Sequence, residues 1–129
     1  MADKIILADT SLLIDFFRKS DKSKYKLISL IKDGYKFSIC IITEYEIYSG
    51  ATNEQLDYWH KFLEKIDVIP LDEAAIKIAV EINKTLKTKR KQIDLADLFI
   101  AAIAVSKNIP LGTLNTKHFE RVENLELVI

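Results

Sequence analysis

The sequence predicts an α/β fold with a doubly wound, mainly parallel sheet of four to five strands flanked by helices. Short apolar runs alternate with helical patterns along all 129 residues, as they do when each strand is followed by a crossover helix. The run Leu98–Val105 carries no charge and is rich in alanine, which predicts a helix buried nearly all round. The length is typical of one domain, 1–129, with a substantial core.

Charge and cysteine content limit the possible environments. The 19 basic and 19 acidic residues give a formal net charge of +0, so any surface that attracts nucleic acid must be local. The single Cys40 lies in an apolar run and predicts a buried thiol in a reducing compartment. The apolar stretch near the start, Ile5–Ala8, is too short for a signal peptide or a membrane span. We therefore expect a cytoplasmic protein with no membrane association.

The first half of the chain contains two predicted strands, each followed by a helix. Thr43 and Glu46 have capping-box spacing, which would place Glu46 on the first turn of a helix that stops at Gly50. A polar break at Ser20–Lys24 separates the first two helices. The predicted elements are strand Lys4–Ala8, a helix from Leu12 to Phe17, helix Tyr25–Lys32, strand Phe37–Ile41 and helix Ile42–Ser49.

The second half continues the alternation. Asp72 is expected to cap a helix whose apolar face is Ile76, Ala79, Val80 and Ile82. The five basic residues of Lys84–Lys91 form either a solvated helix end or a phosphate-binding surface. The predicted elements are helix Asn53–Lys65, strand Val68–Ile69, helix Glu73–Leu86, the buried helix from Asp94 to Val105, and strands Ile109–Thr113 and Leu125–Ile129.

Four acidic residues lie at junctions that such a sheet brings to its carboxyl edge. Asp9 follows the first strand, Glu46 follows the second, and Asp94 and Asp97 begin the buried helix. Clustered carboxylates repel one another, and hard cations such as Mg²⁺ or Mn²⁺ relieve the repulsion. These ions favour phosphodiester hydrolysis. The alternative is that these residues only cap helices. Asp9 or Ser11 would then cap the first helix, and Asp94 would cap the buried helix, with Asp97 on its first turn.

Four stretches in order resemble the motifs of PIN-domain nucleases, most closely the VapC-type toxins of toxin–antitoxin modules. The resemblance spans nearly the whole chain and implies a PIN-like fold. The stretches are Ile6–Ser11, Thr43–Gly50, Asp97–Ala102 and Thr113–Phe119.

The resemblance implies a Mg²⁺- or Mn²⁺-dependent endoribonuclease that acts on RNA, forms homodimers and is bound by a cognate VapB-type antitoxin. By motif, the matching metal ligands are Asp9, Glu46 and Asp97, with Asp94 as an extra candidate. An acid frequent in the family's last motif is absent here, and Asp94, Asn115 or His118 is left to replace it. The expected orienting residues are Ser11, Thr113 and Asn115.

Two other functions remain possible on the sequence alone. A phosphoacceptor receiver domain is also doubly wound, but it needs a lysine at a late strand end, where this chain has Leu111-Gly112-Thr113. A catalytically weak or inactive PIN-like protein-interaction module is the other alternative, because the fourth acid is missing.

Overall fold

The computed structural model describes residues 4–18 and 26–128, so the predicted break Ser20–Lys24 and the last residue, Ile129, lie outside the described ranges. Within them, five strands form one sheet in the order β3-β2-β1-β4-β5, and every neighbouring pair is parallel. This confirms the predicted fold class. The strands are β1 Lys4–Ala8, β2 Tyr35–Cys40, β3 Val68–Ile69, β4 Leu111–Gly112 and β5 Leu127–Val128.

Seven helices occur in the described part of the chain and connect these strands. None of them is long and apolar enough to cross a bilayer, counting only the residues described. The helices are α1 Thr10–Arg18, α2 Lys26–Lys32, α3 Ile41–Gly50, α4 Asn53–Leu63, α5 Glu73–Thr88, α6 Leu95–Lys107 and α7 Thr116–Phe119.

The sheet is covered on both faces, as the apolar runs predict. Alternate residues of β1 point to opposite sides, so Ile6 and Ala8 join one core cluster while Leu7 joins the other. The first cluster includes Trp59 of α4, and the second includes Phe119 of α7. Burial on both faces starts only at Ile6, because the first two residues of β1 are exposed.

Helix α6 is buried as predicted, but the predicted apolar face of α5 is partly wrong. Ile76 and Val80 are 40% and 48% exposed. The buried residues of α5 are Ala75, Ala79 and Leu86, a stripe rotated by one residue. The sequence contains both stripes, and the small alanines are the ones that allow α6 to approach α5 closely.

The start of α3 also differs from the prediction. The helix begins at Ile41, and its N-cap, Cys40, makes no side-chain capping bond. Thr43 therefore lies inside the first turn, fully buried, and Glu46 falls on the second turn rather than the first. A capping box does occur, but at Thr52 and Gln55, where α4 begins.

The last two strands are shorter than predicted. Pro110 has no N–H to donate, and the β4 ladder starts only after it, although its carbonyl accepts a 2.9 Å hydrogen bond from Leu7 N.

Asp72 caps α5 as predicted, since its Oδ1 accepts a 2.9 Å bond from Ala75 N.

Candidate active site

The candidate site lies where the strand order reverses. Strands β2 and β3 extend the sheet from β1 toward one edge, and β4 then pairs with the other side of β1. Ala8 is in register with Gly112, and Asp9 N donates to Gly112 O at 3.1 Å. Asp9 and Thr113 thus leave neighbouring strands at the same edge, which is the usual ligand-binding crevice of an open α/β sheet.

Asp9 is a buried carboxylate with three hydrogen-bond donors, and its residue is only 3% exposed. Oδ1 accepts from the Ser11 hydroxyl at 2.7 Å and from Leu12 N at 3.1 Å. Oδ2 accepts from the Thr113 hydroxyl at 2.5 Å. The bond from Leu12 N is that of a helix N-cap, so Asp9 caps α1 and also faces the crevice.

The two hydroxyls that hold Asp9 also hold the loop after β4. Ser11 Oγ accepts from Leu114 N at 3.1 Å, and Thr113 Oγ1 accepts from Asn115 N at 2.9 Å. Each hydroxyl therefore donates to Asp9 and accepts from this loop. The structure brings Ser11 and Thr113 to Asp9, as an orienting role requires.

Glu46 approaches the same edge from α3. Its Oε1 accepts a 2.6 Å hydrogen bond from the hydroxyl of Thr10, the residue after Asp9. The Thr10 hydroxyl also lies 3.3 Å from that of the buried Thr43. The Thr10 side chain therefore fixes Glu46 beside the start of α1.

Asp97 lies on the first turn of α6 and is partly buried. Its Oδ2 is 3.4 Å from Nδ1 of His118, and the same nitrogen is 3.1 Å from Nδ2 of Asn115. The side chain of Asn115 therefore reaches Asp97 only through His118.

Asp94 differs from the other three acids. It is the N-cap residue of α6, as predicted, but its side chain makes no capping bond and it is exposed. Its backbone carbonyl accepts from Leu98 N at 2.8 Å. Burial raises the pKa of Asp97, and the charge of Asp94 adds to that rise.

Burial and mutual repulsion disfavour negative charge in this crevice. Desolvation raises the pKa of Asp9 above its ordinary value, against the lowering effect of its three hydrogen bonds, and the charge of Asp97 raises it further. Desolvation also raises the pKa of Asp97, although His118 opposes the shift. A cation would relieve this repulsion.

The donors suit a hard divalent cation, because carboxylate oxygens are what Mg²⁺ and Mn²⁺ prefer. Asp9, Glu46 and Asp97 are each directed to a protein partner. Within residues 4–18 and 26–128, no three His, Cys, Asp or Glu side chains are grouped closely enough to enclose an ion. The donor chemistry fits a metal, and complete coordination would require a side-chain rotation or oxygen atoms from water or substrate.

Sequence reasoning assigned no role to Thr10 and left His118 only as a possible substitute for the missing acid. The partner of Thr10 is 36 residues away, and nothing in the local pattern indicates that pairing. His118 falls three residues after Asn115 on the short helix α7, a spacing that would have suggested their contact.

Comparison with known proteins agrees with this geometry. A ribonuclease named VapC1 from Methanocaldococcus jannaschii is 38% identical over 125 residues, covering 96% of this chain and 85% of that protein. Ribonuclease VapC10 from Mycobacterium tuberculosis is 30% identical, covering 95% and 91%. The structure of VapBC2 from Rickettsia felis, bound to a promoter DNA fragment, contains a similar chain with a TM-score of 0.81, 26% identity and coverage of 96% and 97%. Residues 6–125 match the PIN domain, which excludes the receiver-domain alternative, and the chain belongs to the PIN domain family.

Proposed function

We propose that this protein is a Mg²⁺- or Mn²⁺-dependent endoribonuclease that hydrolyses RNA phosphodiester bonds as the toxin of a toxin–antitoxin pair. The observation that carries the proposal is the buried carboxylate of Asp9, held at the topological switch point by donors from both sides of the crevice. A buried acid with a raised pKa in such a crevice is typical of a functional site. The full-length similarity to proteins named ribonucleases supports the choice of substrate.

The residues that would hold the cation are Asp9, Glu46 and Asp97, with Asp94 as an outer acid. A bound divalent cation supplies polarisation of a phosphoryl oxygen and lowers the pKa of water at the scissile phosphate. Asp9 is the rigid member of this set, because three donors fix its orientation.

The remaining residues orient these acids. Thr10, the residue after Asp9, holds Glu46 and thereby places a second carboxylate beside the start of α1. Ser11 and Thr113 hold Asp9 itself, and His118, supported by Asn115, lies beside Asp97. His118 therefore lies in the last motif, Thr113–Phe119, in which the fourth acid is missing.

The proposal includes two protein partners. One is a VapB-type antitoxin, since the similar chain from Rickettsia felis was solved as a VapBC2 assembly. The other is a second copy of this chain, and the exposed Ile76 and Val80 of α5 provide apolar surface of the kind that an interface covers. Co-expression with the product of the neighbouring gene, followed by light scattering, would measure both assemblies.

The direct test is RNA cleavage by Asp9→Asn and Glu46→Gln proteins in Mg²⁺ and in Mn²⁺. Both substitutions should abolish cleavage while circular dichroism shows an intact fold. The matched control is Asp57→Asn, which removes the same charge from an exposed ion pair on α4 and should retain full activity. Full activity of a folded Asp9→Asn protein would disprove the proposed site.

A weak or inactive interaction module is the second candidate, favoured by the lack of a three-acid group among the described residues. Antitoxin binding by a wild-type protein that cleaves no RNA in either metal would favour that candidate.

A further inference from the structure

A groove lined only by charged residues lies between the end of α5 and the region around α7. Its volume is about 450 Å³. We call it the basic groove, and it is formed by Lys89, Lys91, Lys117, Glu120, Arg121 and Glu123.

Two of its four cations are already engaged. Lys89 Nζ is 2.6 Å from Glu123 Oε1, and Arg121 Nη1 donates to the backbone oxygen of Gln92 at 3.0 Å. Lys91 and Lys117 are exposed, and in residues 4–18 and 26–128 neither has an ion-pair partner. Arg121 donates to a neutral backbone oxygen and keeps its charge, and four cations against Glu120 and Glu123 leave the lining with a net charge of +2.

The backbone fixes Lys91 rigidly at the end of α5. Arg90 has a left-handed conformation, with φ of 55°, at a position that usually favours glycine. Arg90 N donates to Lys87 O at 3.1 Å, and Lys91 N donates to Leu86 O at 2.9 Å. This pair of bonds is a Schellman motif, so Lys91 projects from a defined turn.

The basic groove adjoins the acids. Lys117 precedes His118, whose ring contacts Asp97. Arg121 also anchors Gln92 in the loop that leads from Lys91 to the start of α6. Lys117 and Lys91 are therefore each connected, through a neighbouring residue or loop, to the part of the candidate site that contains Asp97.

We propose that the basic groove binds the phosphates of the RNA strand next to the cleavage site, through Lys91 and Lys117. This inference rests on the proposed ribonuclease function and adds the direction in which the substrate leaves the acids. The lining favours a nucleic acid over an acidic protein segment. A phosphate backbone binds by charge alone, whereas the centre of a protein interface is usually apolar and depleted of charged residues.

The test measures binding of a short 2′-O-methylated oligouridylate over a range of salt concentrations, in EDTA, which withholds the divalent cation that the proposed hydrolysis requires. The variant is Lys91→Gln/Lys117→Gln. The matched control is Lys84→Gln/Lys87→Gln, which removes two charges from the same basic run outside the basic groove.

In the groove variant, the slope of log K against log salt should decrease in magnitude by about 1.4, at about 0.7 for each lost contact to a single strand. Its affinity should be reduced most at low salt and approach that of the wild type as salt rises. The control should keep the wild-type slope. Equal slopes for the groove variant and the wild type would overturn the proposal. If that variant also lost binding to poly-glutamate, measured in parallel, the basic groove would instead bind an acidic protein segment.

These outcomes are separate from those for the ribonuclease itself. RNA cleavage by the wild type with no slope change in the groove variant would refute the basic groove alone. A groove-dependent slope in a protein that cleaves no RNA would refute the ribonuclease and leave the groove as an RNA-binding surface.

Discussion

The Thr113 hydroxyl donates to Asp9 Oδ2 across 104 residues of sequence, and both residues are almost completely buried. Thr113→Val keeps the shape of the side chain but leaves Oδ2 without this donor. We expect the free energy of unfolding to fall by about 1–3 kcal/mol, the cost of an unsatisfied buried polar group. Urea unfolding would measure it, with Thr113→Ser as the control that retains the hydroxyl. Equal stability of the two variants would contradict the importance of this bond.

The Asp97→Asn variant distinguishes a metal-binding role of Asp97 from a helix-capping role. Because Asp9 and Asp94 both repel Asp97, the variant should be as stable as the wild type or more stable in EDTA. Excess Mg²⁺ should raise the melting temperature of the wild type, since the ion binds only the folded form, and this rise should shrink in the variant. A variant that is less stable in EDTA by about 0.3–1 kcal/mol, with an undiminished Mg²⁺ response, would identify Asp97 as a cap.

The raised pKa of Asp97 predicts the sign of a pH effect. Between the ordinary pKa of 3.8 and the raised pKa, Asp97 in the folded protein retains a proton that the unfolded chain has lost. The stabilisation from that proton is full below the ordinary pKa and is lost as pH rises through the raised pKa. In EDTA, the unfolding free energy of the wild type minus that of Asp97→Asn should therefore decrease with rising pH. A difference that increases with pH would mean that the pKa is lowered instead.

Thr10 is predicted to act through Glu46. Thr10→Val removes the hydroxyl that donates to Glu46, so the carboxylate loses its fixed orientation. Since the loss of such a supporting residue typically costs 10–100-fold, we expect a decrease of about tenfold in Mg²⁺ affinity or in cleavage rate. Thr10→Ser should restore both values, and isothermal titration with Mg²⁺ would report the affinity independently of activity. A Thr10→Val protein with the Mg²⁺ affinity of the wild type would show that Thr10 does not act through Glu46.

Gly112 provides a test of packing beneath the site. A Cβ at this position would lie 3.0 Å from Cδ1 of the fully buried Ile6. Gly112→Ala should therefore destabilise the protein by about 1–3 kcal/mol through overpacking. Gly50→Ala is the matched control, because a Cβ there would meet nothing within 4 Å. Similar melting temperatures for the two variants would show that the Ile6 side chain moves aside at little cost in stability.

Patterns that depend on local sequence were predictable. The apolar runs identified the strands, and the uncharged run identified α6 as a buried helix. Boundaries were harder to predict, because two solutions satisfied the same pattern. Thr43 and Thr52 both have capping-box spacing, and only the second caps a helix, since β2 continues directly into α3 at Cys40.

The sequence predicts a candidate site as a set of acids, but it does not predict the contacts that these acids make. Strand-end positions led to Asp9 and Glu46, and the start of the buried helix led to Asp94 and Asp97. The choice of Thr10 as the partner of Glu46 depends on how α1 and α3 pack, which no short-range pattern contains. The phase of α5 depends in the same way on α6, because α6 determines which of two possible stripes is buried.

The pairing of β1 with β4 sets the order in which the site can assemble during synthesis. Domains emerge from the ribosome starting at the N-terminus, so a nascent chain that has reached β3 already contains Asp9 and Glu46. It still lacks Asp97, and it lacks Thr113, which closes the crevice over Asp9. The candidate site therefore cannot form on the first two thirds of the chain. On the proposed function, RNA cleavage by this protein requires that the chain has been synthesised beyond β4.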